Sequence, residues 1–527
     1  VDADGTVSLR GKTDVTILID GKPSTLLGTD VTSALQSLPA GSIESVEVIT
    51  NPSAKYDAQG TSGIINIITK KDGRKGINGT LTLGAGTNDK YNGNFGLNAR
   101  KGKWSAFVNS SFRLNSTYNN VTTDRVNKAA DSVGNTQSFH TYEHVPRHFD
   151  GAFNSIGATY DPDKYNSFTL IGNINVMQFG FKDTSNYAVY NNPNQSGTPT
   201  YHQTRYSNFY GGPFSPSIAL DYKHKFKKKD EELSMDVTYA TMTLHRQQDY
   251  FTSADSNTST GMYHIPMLEE HGPGKGGNNT LTAFADYTDP LFTKNGKLGL
   301  GFKTQLYNFN SHVDPIKRTD TPNSPAPVTD FTLLSNYDYN QQIHAAYANW
   351  SDQLGKFSYQ AGLRFEDAIY DGHGIIADSR MKDTSFHNSF FNFFPSAFVS
   401  YQLADQQSIY LNYSRRTNRP GFRQLLPFVD LSNPGTVNTG NPGLSPEFIS
   451  NFEFSYSKSD KKGNNIILSA YYAYTENLIQ TIPIPIDPAS ALKYGVSKDE
   501  LLSIPQNIAA GTTYGAEGTA HLQLLPI

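Results

Sequence analysis

From residue 76 onward, apolar and polar positions alternate with period two over runs of about ten residues, the pattern of strands with one oily and one watery face. In one such run Phe168, Leu170, Gly172, Ile174 and Val176 share a phase, and Ser167, Thr169, Asn173 and Asn175 share the other. Phe357, Tyr359, Ala361, Leu363 and Phe365 alternate likewise with Ser358, Gln360, Gly362, Arg364 and Glu366. The pattern predicts about sixteen strands between residues 76 and 525. The joints at 100–103, 161–164, 227–231, 289–296, 350–356, 404–406 and 458–463 are short and polar, whereas 116–149, 179–211, 247–276, 310–333, 370–388, 417–446 and 476–510 read as long loops. Long connections at one rim and short turns at the other are the asymmetry of a membrane-spanning barrel. Soluble sheets also alternate. Strands of about 11–15 residues, however, exceed the usual five or six and suit a tilted crossing of a bilayer. An unpaired strand edge in hydrocarbon costs several kcal/mol per backbone group, so such a sheet must close.

Residues 1–75 read differently, as a small α+β unit ahead of a barrel at 76–527. Its β runs are 15–19, 45–49 and 63–69, and Asp30 caps a short helix that buries Val31, Ala34, Leu35 and Leu38. Lys70 to Gly76 forms a charged linker.

Composition narrows the function. Mean hydropathy is -0.50, and no apolar stretch reaches the length of a spanning helix. The chain has no cysteine, which removes disulfides, thiol nucleophiles and thiolate metal sites. A net charge of -4 offers no general attraction to nucleic acid. There is no Gly-x-Ser-x-Gly elbow or His-Glu-x-x-His site, so no enzyme is indicated, and no cofactor is called for. Gly272-Pro273-Gly274-Lys275-Gly276-Gly277 lacks the spacing of a phosphate cradle and reads as loop. Lys225 to Glu232 reads as a solvated turn. Val1 opens without a signal sequence and Ile527 closes an apolar run, so both ends read as cuts in a longer protein.

The runs Val7 to Gly11, Ile17 to Pro23, Ile43 to Ile49, Asn51 to Tyr56, Gly63 to Lys70, Tyr413 to Pro420 and Asn441 to Glu447 resemble motifs of TonB-dependent outer-membrane receptors and transporters, in particular the Bacteroidota outer-membrane β-barrel branch. Early plug motifs of that family are similar to Val7-Ser8-Leu9-Arg10-Gly11 and to Ile17-Leu18-Ile19-Asp20-Gly21-Lys22-Pro23. Ile43 to Ile49, Asn51 to Tyr56 and Gly63 to Lys70 resemble its plug-closing signature. Tyr413-Ser414-Arg415-Arg416-Thr417-Asn418-Arg419-Pro420 and Asn441-Pro442-Gly443-Leu444-Ser445-Pro446-Glu447 resemble barrel motifs of the branch. The resemblance implies a transmembrane antiparallel β-barrel of 22 strands when complete, holding a plug in its lumen. It further implies active import of a scarce solute such as a metal chelate, oligosaccharide or peptide. The work would come from a TonB–ExbB–ExbD complex acting on a segment before residue 1. Leu18 to Pro23 departs from the valine-rich form of the starch-utilisation group, which argues against an obligate lid lipoprotein. A surface lipoprotein partner stays open, and the alternative function is a surface receptor or assembly component that transports nothing.

Within that frame, Arg10, Glu44 and Glu47 are candidates to fix the plug to wall charges such as Lys303, Arg364 and Glu366. Tyr56, Asp57 and Gln59 lie in a turn-rich excursion that can meet solute. Arg415, Arg416, Arg419 and Arg423 form a basic cluster that either attracts an anionic solute or pairs with wall carboxylates. Tyr206 and Tyr210 can stack on a ligand. His264, Glu269, Glu270 and His271 carry metal-ligand types, but their spacing fits no metal knuckle. Phe391, Phe393, Phe394, Tyr471, Tyr472 and Tyr474 are expected in outward aromatic belts in contact with lipid.

Overall fold

The computed structural model describes residues 15–19, 22–23, 43–49, 52–60, 63–69, 76–127, 137–192, 194–258, 261–291, 293, 295–314, 316–319, 328–329, 336–375, 384–426, 436–460, 464–494, 496 and 500–522. The expected helix at 30–38, Arg10 and the linker before Gly76 lie outside them.

Four short strands form the N-terminal sheet: β1 (Thr16–Ile19), β2 (Lys22–Pro23), β3 (Ile43–Ile49) and β4 (Ile64–Thr69), in the order β2-β1-β4-β3. β1 runs parallel to β4, and β3 antiparallel to it. Ile17, Leu18, Ile64 and Ile67 are buried.

The remaining strands build one barrel sheet. They are β5 (Gly76–Gly86), β6 (Lys90–Lys101), β7 (Trp104–Asn127), β8 (Gln137–Tyr160), β9 (Asn166–Tyr190), β10 (Tyr201–Lys225), β11 (Glu232–Thr258), β12 (Gly261–Asp289), β13 (Lys297–Val313), β14 (Ile316–Thr319), β15 (Val328–Thr329), β16 (Asn336–Leu354), β17 (Phe357–Ile375), β18 (Thr384–Ala404), β19 (Gln407–Asn418), β20 (Thr436–Asn438), β21 (Glu447–Ser459), β22 (Asn465–Pro485) and β23 (Leu501–His521). Three of these, β14, β15 and β20, are short pieces inside connections; the other sixteen among the described residues match the alternating segments read from sequence. At the seam β23 lies next to β5, without a residue-by-residue register among the described residues.

Burial is inverted relative to a soluble protein, whose large apolar side chains are mostly inside. Ile156, Leu170, Ile174, Ile218, Leu220 and Phe302 are each at least half exposed on the outer phase, while Asp236, Arg364 and Glu366 are at most 3% exposed on the inner phase. An oily exterior around a charged interior fits a wall that faces lipid outside and water or plug inside. No described helix is long and apolar enough to cross a membrane.

The structure corrects the loop expectation. Much of 116–149, 179–211, 247–276, 370–388 and 476–510 continues the ladders, with β7 and β8 paired out to Asn127–Gln137, β11 and β12 out to Thr258–Gly261, and β22 and β23 out to Pro485–Leu501. Gly272 to Gly277 accordingly lies in β12 and not in a loop. Above the apolar belt the outer face is no longer uniformly oily, so the hydrophobic alternation fades while the backbone ladder persists. Phe394 and Tyr471 are also corrected: Phe394 is 4% exposed, and both share the inner phase with Arg364 and Ala473, while Phe391 and Phe393 face out.

Candidate functional site

The segment 52–60 leaves the N-terminal sheet and reaches the inner face of β12, β13, β17 and β19. Alternation fixes the wall side: Lys303 on β13 and Arg364 and Glu366 on β17 all point inward, roughly 20–30 Å along the strand from the nearest short turn. Asp57 Oδ2 accepts from Lys303 Nζ at 2.6 Å, and Asp57 Oδ1 accepts from Arg364 Nη2 at 2.9 Å. Arg364 Nε donates to Glu366 Oε1 at 2.6 Å, and Glu366 Oε2 pairs with Arg419. Five charges thus alternate in sign through one buried cluster. Isolated buried charges cost several kcal/mol each, and this mutual pairing is what makes their burial tolerable.

The backbone of the excursion is held as firmly. Arg416 donates to the carbonyls of Gly60 (2.6 Å), Gln59 (2.7 Å) and Asp57 (2.8 Å). Thr417 N donates to Ala58 O at 2.9 Å and Gly60 N to Thr417 O at 3.2 Å, so Gln59 pairs with Thr417 as a parallel bridge. Gln59 Nε2 donates to Asn418 Oδ1 at 3.2 Å, and Arg419 N donates to Gln59 Oε1 at 3.1 Å. Gly60 has φ +100, and an added Cβ would run into Thr16 Oγ1, so only glycine fits this corner. Lys55 reaches Asp286 at 3.2 Å on β12.

Burial alone would raise the Asp57 carboxyl, but Lys303 and Arg364, with Arg419 behind them, outweigh it and hold the group well below the usual carboxylate range. A depressed carboxylate contributes stability that is fully present above its unfolded value near 3.9 and is lost as pH falls through the folded value. We therefore expect the amides of Ala58 and Gly60 to keep their hydrogen-exchange protection, corrected for intrinsic rates, from pH 7 to about pH 4 and to lose it only in stronger acid. Loss of protection between pH 7 and 5 would show that another group controls the contact.

Above this cluster the connection after β19 folds into the lumen. Its short helix α1 (Phe422–Leu425) sets Leu425, with Leu444 further on, among Phe309, Tyr339, Ile343, Ala368 and Tyr370, all buried. The Phe422 ring lies 4.7 Å from Phe309 and 6.0 Å from Tyr337. Glu447 ties the base of this connection down by accepting from Asn418 Nδ2 at 2.8 Å and from Ile479 N at 2.5 Å.

The structure therefore brings Asp57, Gln59, Arg364, Glu366 and Arg419 together, and places Tyr56 beside them as a half-buried neighbour whose phenol is raised by burial. Glu44 stays exposed, and Glu47 accepts from Asn66 at 2.9 Å within the N-terminal sheet, not from the barrel wall. Tyr206 and Tyr210 share the outward phase of Phe214, Ile218 and Leu220, so their rings are directed away from the lumen. Arg423 is exposed on α1. His264 and His271 pair across the strands with Asp255 and Asp249, and among the described residues no group of three or more metal-ligand side chains converges. Sequence reasoning missed Glu447, and it named Arg416 only as part of a basic cluster and not as the side chain that holds the plug backbone, although both stand in the motifs it singled out.

Residues 224–527 match the family described as "Outer membrane protein beta-barrel family", and residues 2–64 match the "TonB-dependent Receptor Plug Domain". The "Rhizobactin receptor" of Rhizobium meliloti (strain 1021) is 23% identical over 518 residues, which cover 90% of this chain and 64% of that protein. The chain thus spans just under two thirds of that relative's length. Among solved structures, a variant of the ferric enterobactin receptor from Pseudomonas aeruginosa in complex with enterobactin superposes with a TM-score of 0.61 at 18% identity, covering 97% of this chain and 71% of that one. The ferric yersiniabactin uptake receptor from Yersinia pestis gives 0.57 at 15% identity, over 98% of this chain and 68% of that one. A copper transporter gives 0.62 at 14%, over 98% and 70%. These likenesses speak for the fold. With more than half its length matched, this chain belongs to the outer membrane protein β-barrel family, carries a TonB-dependent receptor plug domain, and resides in the outer membrane.

Proposed function

We propose that this protein is an energised importer that takes a scarce metal chelate across the outer membrane. One observation carries the reading: the plug segment 52–60 is locked to the lumen wall by a buried chain of ion pairs, from Lys303 through Asp57, Arg364 and Glu366 to Arg419. A path closed in this way does not open by thermal drift at a useful rate, and work supplied from the periplasm is the natural way to break it. The plug domain supports coupling to TonB, with ExbB and ExbD behind it. The receptors named above support a siderophore-like chelate in preference to an oligosaccharide or peptide.

The roles of the named residues follow from this reading. Asp57, Arg364, Glu366, Arg416 and Arg419 fix the plug, and solute contact falls to side chains higher in the lumen. In cells carrying the full-length protein, a radio-iron chelate should accumulate, and the accumulation should cease when the proton gradient of the inner membrane is collapsed or the segment that engages TonB is deleted. Surface binding should survive both treatments. Accumulation that continues after either one defeats the proposal.

A further inference from the structure

The outward face of the wall changes character where β9 to β13 leave the oily belt, and strand register places its side chains in rows. Val176 on β9 and Phe214 on β10 face each other at the edge of the belt, 43% and 44% exposed. One pleat farther out, about 7 Å along the strand, the next row reads Gly212, His245, Lys275 and His312 from β10 to β13. His245, Lys275 and His312 are all exposed. In the row beyond, Tyr210 is 56% exposed, opposite Gly180 on β9 and two residues from Gly212. Gly277 and Pro273 flank Lys275 along β12. Low neighbours thus surround one ring and a pair of basic side chains, which leaves an open notch on the outside of the barrel.

Directly opposed side chains on one face of a sheet stand about 5 Å apart at Cβ, and like charges so placed repel. Lys275 therefore opposes a protonated His245, and an anion over the two relieves the repulsion. The acidic groups facing this part of the wall are turned to other partners. His312 Nε2 lies 2.8 Å from Asp314 Oδ2, and Asp338 on β16 stands one row nearer the belt, between Asn310 and His373. Asp249, two rows farther out, is held by His271 at 2.9 Å and by Gln247 Nε2 at 2.6 Å. Tyr210 faces the row from β10. Among the described residues neither His245 nor Lys275 has a carboxylate within ion-pair distance, so the positive charge centres on them.

Height selects the occupant. A cation just past the oily edge, on the lipid side of the wall, meets headgroups and not solute in the lumen, and its complement there is an anionic headgroup. A phosphate offers several acceptor oxygens to an ammonium and an imidazolium side by side, and an exposed ring bordered by glycines gives a saccharide a flat apolar surface. We propose that His245 and Lys275 bind the phosphorylated headgroup of an outer-leaflet glycolipid, with its saccharide resting on Tyr210. The site holds the barrel at a fixed depth in the outer leaflet, and its grip tightens as His245 takes up a proton below about pH 6.5.

The test titrates purified full-length protein in detergent with bisphosphorylated lipid A, with the same lipid after removal of its phosphates, and with phosphatidylglycerol, and counts bound lipid by native mass spectrometry. At pH 5.5 the wild-type protein should prefer the phosphorylated lipid A to both others, and H245Q/K275Q should lose about 10- to 30-fold for that lipid alone, as expected for two surface cations. Tyr210→Ala should weaken both forms of lipid A and leave phosphatidylglycerol unchanged. The ratio of wild-type to H245Q affinity for the phosphorylated lipid should grow from about 1 at pH 8 to about 5-fold at pH 5.5, a ratio from which the ionisation of the lipid itself cancels. All of these positions are exposed, so the variants should fold. Equal wild-type binding of the two forms of lipid A, a preference that survives in H245Q/K275Q, equal binding of phosphatidylglycerol, or a ratio that does not change with pH overturns the proposal.

Discussion

Replacing Glu366 with glutamine is expected to loosen the plug from the barrel by about 3–5 kcal/mol, the usual cost of breaking a buried ion pair by removing one partner. Glu366 is 2% exposed and serves both Arg364 and Arg419, so its loss leaves three cations, these two and Lys303, with the single carboxylate of Asp57. Ala58 N also loses a charged acceptor, at 3.4 Å. The barrel has its own ladders and should keep its melting temperature, whereas hydrogen-exchange protection across residues 54–60 should collapse. Asp367→Asn, one residue along and on the opposite face, should change protection by no more than about 0.5 kcal/mol. If the two variants behave alike, the cluster does not hold the plug, and the closed path of the import reading has lost its lock.

How far this arrangement could be read from the residues depends on which physical signal each part leaves. The membrane belt is legible because lipid on one side and water on the other force a period of two: Ile218 and Leu220 against Ser217 need no structure to interpret. The hairpin extensions are not legible, since the outer face of a segment such as Gln247 to Asp255 carries polar residues in place of the oily ones of the belt, and the backbone ladder that keeps it extended is sequence-independent. On the wall, Lys303, Arg364 and Glu366 could be nominated because charge on the lumen phase of a spanning strand needs a partner.

The plug's answering carboxylate was not identifiable in the same way. Asp57 sits in a turn-rich stretch with no periodicity to orient it, and a turn aspartate is as suited to solvent as to a guanidinium. The arginine pair at 415 and 416 did contain a usable signal. Adjacent residues in a strand point to opposite faces, so only one of them can enter the lumen: Arg416 reaches the plug carbonyls, and Arg415 packs outward near Phe393 and Phe448. Counting the four arginines as one basic cluster concealed a division that strand geometry imposes.

The same geometry gives the second large effect, on the barrel itself. Ile218 is 52% exposed near the middle of the outward belt of β10, between Leu220 and Phe214, and Ile218→Arg is expected to destabilise the barrel in lipid by about 2–4 kcal/mol. Ser217 is its neighbour on the inward phase, where it accepts from Asn173 Nδ2 at 3.0 Å, and Ser217→Arg gives up that bond but places its charge among polar lumen groups. That change should cost about 1 kcal/mol. Urea-dependent refolding into phospholipid vesicles measures both. The difference between them matters more than either value: a soluble β-sheet protein with water outside would tolerate the outward arginine better than the inward one. Only a wall with lipid on its oily side reverses that order, and equal costs at the two positions would remove the membrane from the argument.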